Sequence, residues 1–179
     1  MLVVFLANGF EEIEALATVD ILRRADLSVK TVGVGGTTIV GAHNIPVATD
    51  LEQGDLDLTQ VDGVILPGGM PGTTNLDASS VVDSTLEFAI GNKLPVAAIC
   101  AAPLVLGRRG YLAGHKATCY PGFEAELKNA IIVKDAVVTD GLFTTASGAG
   151  VAVDFALELV ARLVSREKAE EIRGAIQCR

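Results

Sequence analysis

The amino-acid sequence predicts an α/β fold in which a mostly parallel, doubly wound sheet is covered by helices on both faces. Short apolar runs alternate with segments of helical period, and half of the 179 residues are apolar while only 4% are aromatic. A core built from Val, Ile, Leu and Ala suits central parallel strands that are buried on both faces. A chain of this length is expected to form one domain over residues 1–179.

The first apolar run and the segment after it set this pattern. Met1–Ala7 is continuously apolar, as expected of a strand buried on both faces. Asn8-Gly9 ends the run, and the spacing of apolar residues then predicts a helix over Phe10–Ala25. Negative charge in a first turn complements the helix dipole. Three carboxylates stand in that turn: Glu11, Glu12 and Glu14.

The rest of the chain continues the alternation of strands and helices. Further strands are predicted over Ser28–Val34, Thr38–Val40, Ile45–Ala48, Val61–Leu66, Pro95–Ile99, Lys116–Tyr120, Ile131–Asp140 and Leu142–Ala146. Further helices are predicted over Ser80–Asn92, Pro103–Arg108, Phe123–Asn129, Gly150–Val164 and Ser165–Gln177. The second and third of these strands are short, lie in a turn-rich stretch and are expected to form a small hairpin.

Composition and charge exclude several classes of function. The net charge of −8 and the absence of a basic cluster argue against nucleic-acid binding. No apolar run approaches the roughly 18–20 residues that span a bilayer, and the opening MLVVFLA is interpreted as a strand rather than a signal peptide. Three unevenly spaced cysteines and two histidines predict no disulfide framework, no metal site and a cytoplasmic, reducing location.

Doubly wound sheets bind ligands outside the carboxyl ends of their strands, and Cys100 follows one such strand. It comes after the apolar run Val96–Ile99 and three residues before Pro103, a residue favoured in the first turn of a helix. We therefore predict a sharp strand-to-helix turn at Cys100, like the nucleophile elbow of α/β-hydrolases. Helix-terminal N–H groups there are expected to lower its pKa into the ~3.5–7.5 range. The alternative is an inert buried cysteine.

Two other strand ends supply candidate partners for this thiol. Glu14 is expected near the inward edge of the first helix, where its carboxyl could share a proton with the thiol or act as general acid/base. Gly68 and Gly69 could bring backbone N–H groups to a developing oxyanion, with the N–H of Ala101 as a second donor. The alternatives are dipole complementation for the glutamates and an ordinary turn for Pro67-Gly68-Gly69.

The remaining thiols and imidazoles are not expected to take part in catalysis. We expect Cys119 to pack within a strand and Cys178 to be an incidental thiol near the chain end. We expect His43 and His115 to be surface residues.

Several segments together resemble the ThiJ/PfpI family, in its DJ-1 branch. The matching segments, which run in the same order over essentially the whole chain, are Gly9–Glu14, Val19–Arg24, Leu66–Gly69, Ala98–Pro103 and Ser147–Gly150. The resemblance implies a flavodoxin-like three-layer sandwich and a homodimer. It implies that Cys100 is the reactive, oxidation-prone cysteine, with a protonated Glu14 hydrogen-bonded to its sulfur and backbone donors from Gly69 and Ala101.

The sequence departs from the family pattern at four positions. Tyr120 stands where the branch often has a histidine near the cysteine, and could donate a hydrogen bond to substrate. Ala101 stands where the protease-like branch has histidine, so no Cys-His-acid triad is assembled and peptidase activity is not expected. Ala149 replaces a frequent proline, and His43 falls near where some relatives carry an arginine at the dimer contact.

These residues leave three functions open. The first is a cofactor-independent enzyme for small α-oxoaldehydes, of glyoxalase or deglycase type, with Cys100 as nucleophile and Glu14 as acid/base. The second is a redox sensor whose Cys100 oxidises to sulfinic acid. The third is a holdase chaperone without catalysis.

Overall fold

The computed structural model describes residues 1–178. Within them, a seven-stranded sheet is formed by β1 (Leu2–Ala7), β2 (Val29–Val34), β5 (Leu51–Glu52), β6 (Gly63–Leu66), β7 (Val96–Ile99), β10 (Val137–Asp140) and β11 (Phe143–Ala146). Across the sheet these strands lie in the order β10-β11-β7-β6-β1-β2-β5. The strands pair in parallel except β10 with β11. The central order β2-β1-β6-β7-β11 is the flavodoxin-like one, so the predicted fold class is confirmed.

Helices cover both faces of this sheet. They are α1 (Glu12–Arg24), α2 (Gly72–Asp77), α3 (Ser80–Gly91), α4 (Pro103–Arg108), α5 (Ala152–Leu163) and α6 (Arg166–Ala175). Alternate residues of β1 point to opposite sides: Val4 and Leu6 pack in a core with α1, α5 and α6, while Val3 and Phe5 pack in a second core with α2, α3 and α4. Burial on both sides explains why the first strand is apolar throughout.

Two small sheets lie outside the main one. β3 (Thr38–Val40) and β4 (Pro46–Ala48) form the predicted antiparallel hairpin, while β8 (Lys116–Ala117) and β9 (Ile131–Ile132) pair in parallel. Among residues 1–178, no helix is long and apolar enough to cross a membrane.

Several predicted elements need correction. The strand predicted over Lys116–Tyr120 ends at Ala117, because the next backbone N–H donates to the hydroxyl of Thr145 instead of continuing a ladder. The helix predicted over Phe123–Asn129 is a 3-10 turn at Glu124–Glu126, and the strand predicted over Ile131–Asp140 divides into β9 and β10. The first helix begins at Glu12 rather than Phe10, because the preceding N–H groups bond Ala7 and Gly68 carbonyls.

Candidate functional site

Cys100 occupies a strained turn between β7 and α4. Its φ is +64°, in the left-handed region that costs a non-glycine residue roughly 1–2 kcal/mol. Hydrogen bonds fix the turn at both ends, since its N–H donates to the Ala146 carbonyl at 2.8 Å and its carbonyl accepts from the Tyr120 N–H at 2.7 Å. The predicted strand-to-helix elbow is therefore present, and the Cys100 side chain is half-buried at its apex.

The first helix brings Glu14 to this elbow. Its side chain is buried at 1% exposure, and Oε2 accepts a hydrogen bond from the Gly68 N–H at 2.7 Å. A Cβ on Gly68 would lie 2.7 Å from both Cys100 Cβ and Glu14 Oε2. Gly68 is thus the residue that lets carboxyl and cysteine approach one another, and the inward placement expected of Glu14 is confirmed.

The backbone N–H groups of Gly69 and Ala101 act on the Cys100 thiol and lower its pKa. Gly69 has φ +88°, and a Cβ on it would meet the backbone of residues 9–11, with Gly9 O only 2.5 Å away. The same segments are joined by the Glu11 N–H, which donates to the Gly68 carbonyl at 2.9 Å. The loop after β6 therefore packs directly against the loop after β1 and holds its donors in place.

The pKa of Glu14 is raised, in the direction that the family resemblance implies, but the pKa of Cys100 is not lowered. Burial raises the pKa of Glu14 to about 7, although hydrogen bonds from Cys100 and Gly68 oppose the rise. Burial, together with the Glu14 carboxylate, raises the pKa of the Cys100 thiol to about 12, and the amides of Gly69 and Ala101 only partly offset this. The expected lowering of the thiol pKa is wrong, because these two effects outweigh the two amide donors. Near neutral pH the thiol therefore keeps its proton, and Glu14 is divided between its neutral and its charged form.

This arrangement makes stability depend on pH through Glu14. The folded-state pKa of about 7 exceeds the ordinary value of 4.5, so the folded protein binds the extra proton between the two values. We expect protonation of Glu14 in the folded state to add about 3 kcal/mol to the free energy of unfolding below pH 4.5. This contribution should be lost as the pH rises through 7. Urea unfolding at pH 5 and pH 8 measures the change, with Glu14→Gln as the variant that lacks this titration. If wild type and Glu14→Gln differ in free energy of unfolding by the same amount at both pH values, Glu14 is not the group that titrates near pH 7.

Tyr120 lies at the rim of the site. Its backbone is joined to Cys100, and its half-exposed ring packs edge-on against Phe123, with centroids 6.4 Å apart. A Cβ on Gly148 would lie 3.4 Å from that ring, which places the Ser147–Gly150 turn beside it.

The other cysteines and histidines fall mostly as expected. Cys119 is buried in the core as expected, although it lies outside a strand. His115 is half-buried rather than a surface residue, and its ring packs edge-on against Phe143 at 5.1 Å. His43 is exposed, as predicted, but its Nδ1 also lies 2.9 Å from Glu12 Oε2. This contact joins residues that are distant in the sequence, and no local pattern indicates it.

Comparisons with known proteins agree with this architecture. A model of the DJ-1/PfpI family matches residues 1–162. Protein dj-1beta of Drosophila melanogaster is 35% identical over 172 residues, covering 94% of this chain and 92% of that protein. Deglycase PH1704 of Pyrococcus horikoshii is 34% identical over 145 residues, covering 79% and 86%. The crystal structure of a cysteine-to-alanine mutant of DJ-1 superfamily protein STM1931 from Salmonella typhimurium has a TM-score of 0.94 at 33% identity, covering 98% and 97%.

Fold and site together define a flavodoxin-like α/β protein with a cysteine at a strand-to-helix elbow and a buried carboxyl beside it. The chain belongs to the DJ-1/PfpI family. One of its relatives carries the name deglycase.

Proposed function

We propose that this protein is a cysteine-dependent stress-response enzyme that acts on small α-oxoaldehydes without a cofactor, in the manner of a glyoxalase or a deglycase. The observation that carries the proposal is the pairing of Cys100 with a buried Glu14 whose pKa is about 7. A general base is most effective when its pKa lies near the working pH. The name of the Pyrococcus relative supports the deglycase form of the same chemistry.

The first step is addition of Cys100 to the aldehyde carbon of methylglyoxal. The Glu14 carboxylate removes the thiol proton as the S–C bond forms, so a preformed thiolate is not required. The amides of Gly69 and Ala101 stabilise negative charge on the aldehyde oxygen during addition. The protonated Glu14 then gives its proton to this oxygen, which becomes the hydroxyl of a hemithioacetal and leaves Glu14 ionised again. Tyr120 borders the place where the substrate enters.

The second step moves a proton within the adduct. Glu14 takes the proton from the former aldehyde carbon and gives it to the ketone oxygen, which yields an enediol. It then takes the hydroxyl proton on the first carbon and gives it to the neighbouring carbon. The product is a lactoyl thioester on Cys100, in which the first carbon has been oxidised and the second reduced. Water hydrolyses the thioester, so one methylglyoxal and one water yield lactate and a proton.

The experiment that tests this function follows methylglyoxal and lactate by NMR, with purified protein, a chelator and no added cofactor. We expect lactate to replace methylglyoxal, and a Cys119→Ala/Cys178→Ala variant to work as well as wild type. Replacing the remaining thiol as well, by Cys100→Ala, should stop the reaction. Lactate production that survives this substitution would refute the mechanism.

Oxidation of Cys100 is the second candidate function, favoured by the partial exposure of this residue and by the Gly69 and Ala101 N–H groups, which could hold added oxygens. If no lactate forms while mild peroxide adds two oxygens to Cys100 alone, the redox sensor is the better interpretation. Suppression of client aggregation by a Cys100→Ala variant would instead favour the holdase.

We also propose that the protein is a cytoplasmic homodimer, as the family resemblance implies. Exposed apolar side chains on α1 support a contact surface, since Ile13 is 58% and Leu16 is 38% exposed. Sedimentation equilibrium measures the assembly directly.

A further inference from the structure

Three potential metal ligands converge beside the start of α1, outside the Cys100 site. They are Oε1 of Glu11, Oε2 of Glu12 and Nδ1 of His43, and the ligand atoms of these residues all lie within 4.8 Å of one another. Nδ1 of His43 is 2.9 Å from the Glu12 oxygen and 3.6 Å from the Glu11 oxygen. Glu11 ends the β1–α1 loop, Glu12 is the first residue of α1, and the histidine comes from the turn of the β3–β4 hairpin.

We propose that Glu11, Glu12 and His43 bind a divalent first-row transition metal ion such as Zn²⁺. Zinc binds histidine nitrogen and carboxylate oxygen at about 2.0–2.2 Å, which places neighbouring ligands of a tetrahedral ion about 3.3 Å apart. The two distances at His43 lie on either side of that value, so small side-chain rotations would bring three ligands onto one ion. A fourth position would remain for water.

The Glu12 carboxylate is already held in the orientation that the ion needs. Its side chain is buried, and its other oxygen, Oε1, accepts a hydrogen bond from the backbone N–H of His43 at 2.8 Å. A Cβ on Gly41 would lie 2.6 Å from Glu12 Cγ, so the glycine leaves the space that this side chain fills. Hydrogen bonds to the second oxygen of a ligating carboxylate are the usual way in which proteins orient a metal ligand.

Charge balance favours a divalent ion over a simple ion pair. A protonated imidazole brings one positive charge to two carboxylates, whereas a divalent cation bound to neutral imidazole balances both. The positive end of the α1 dipole opposes a cation here, which is why both carboxylates are needed. The imidazole and carboxylate donors suit zinc and similar ions rather than Cu(I), which prefers sulfur, or Ca²⁺, which takes six to eight oxygens.

The test measures Zn²⁺ binding to the full-length protein by competition with a chromogenic chelator. Wild type is expected to bind one ion per chain, and His43→Asn and Glu11→Gln are each expected to weaken binding by at least about tenfold. His115→Asn is the matched control, because this second imidazole lies 3.6 Å from a single carboxylate, that of Asp140. It should bind as wild type does.

Two further measurements make the outcome unambiguous. Thermal unfolding of the metal-free variants checks that they remain folded, and Co²⁺ absorption of a Cys100→Ala variant reports nitrogen and oxygen ligation without that thiol. Zinc binding that is unchanged in His43→Asn, or absent from wild type, would overturn the site and leave Glu12 and His43 as an ion pair only. Neither result depends on the reaction proposed for Cys100.

Discussion

Glu14→Gln is expected to slow methylglyoxal turnover by about 10²–10⁴-fold while leaving Cys100 in place. A glutamine side-chain oxygen can still accept the hydrogen bond from the Gly68 N–H, so the packing around the elbow is retained. The amide cannot take the thiol proton or the carbon-bound proton, and both steps assigned to the base are lost. The measurement is kcat/KM for methylglyoxal as a function of pH.

The pH profile separates this role from a structural one. Because the base must be ionised, wild-type kcat/KM should rise as pH increases through about 7, the pKa of Glu14, while the residual activity of the variant should lack that rise. Glu87→Gln, which changes an exposed carboxylate on α3, serves as control and should behave as wild type. A Glu14→Gln rate within about threefold of wild type would exclude this residue as the base.

Gly69→Ala is expected to destabilise the fold by at least about 4 kcal/mol, among the largest effects of a single substitution. The added Cβ would meet the backbone of Glu11, Phe10 and Gly9, which are fixed by their own hydrogen bonds. The backbone at φ +88° also strains any residue with a Cβ. Urea unfolding measures the loss.

The variant Gly35→Ala separates the cost of a left-handed backbone from the cost of a steric clash. Gly35 has nearly the same φ, +91°, but a Cβ there would have nothing within 4 Å. We expect this variant to lose only about 1–2 kcal/mol, the cost of the left-handed backbone alone. Equal losses in the two variants would show that the contact between the loops after β1 and β6 adds nothing to stability.

Much of the fold can be predicted from sequence because its central strands are buried on both faces. β1 and β7 have apolar side chains at every position, and such runs give clear strand signals. The signals fail where other contacts decide the structure. Thr118 leaves its strand to bond the Thr145 hydroxyl, and α2 is missed because Gly-Thr-Thr-Asn has no apolar period.

The candidate site is only partly predictable for a similar reason. Pro103 and the preceding apolar run suffice to place Cys100 at an elbow, and helical period suffices to turn Glu14 inward. The direction in which the thiol pKa shifts depends on how deeply the thiol is buried and how close the Glu14 carboxylate lies. No local sequence pattern reports either quantity. The contact between Glu12 and His43 likewise depends on how the hairpin folds back onto α1.

The N–H groups that bond the Glu14 carboxyl and lower the pKa of the Cys100 thiol belong to the main chain, at Gly68, Gly69 and Ala101. Their positions are set by loop geometry rather than by the identity of any polar side chain. Substitutions at the rim, such as those at Tyr120 or Gly148, can therefore change which molecules are admitted without altering the polar groups beneath. The main-chain groups around Cys100 and Glu14 stay the same, while the side chains at the rim can be exchanged. This division would let one scaffold evolve toward different small electrophiles.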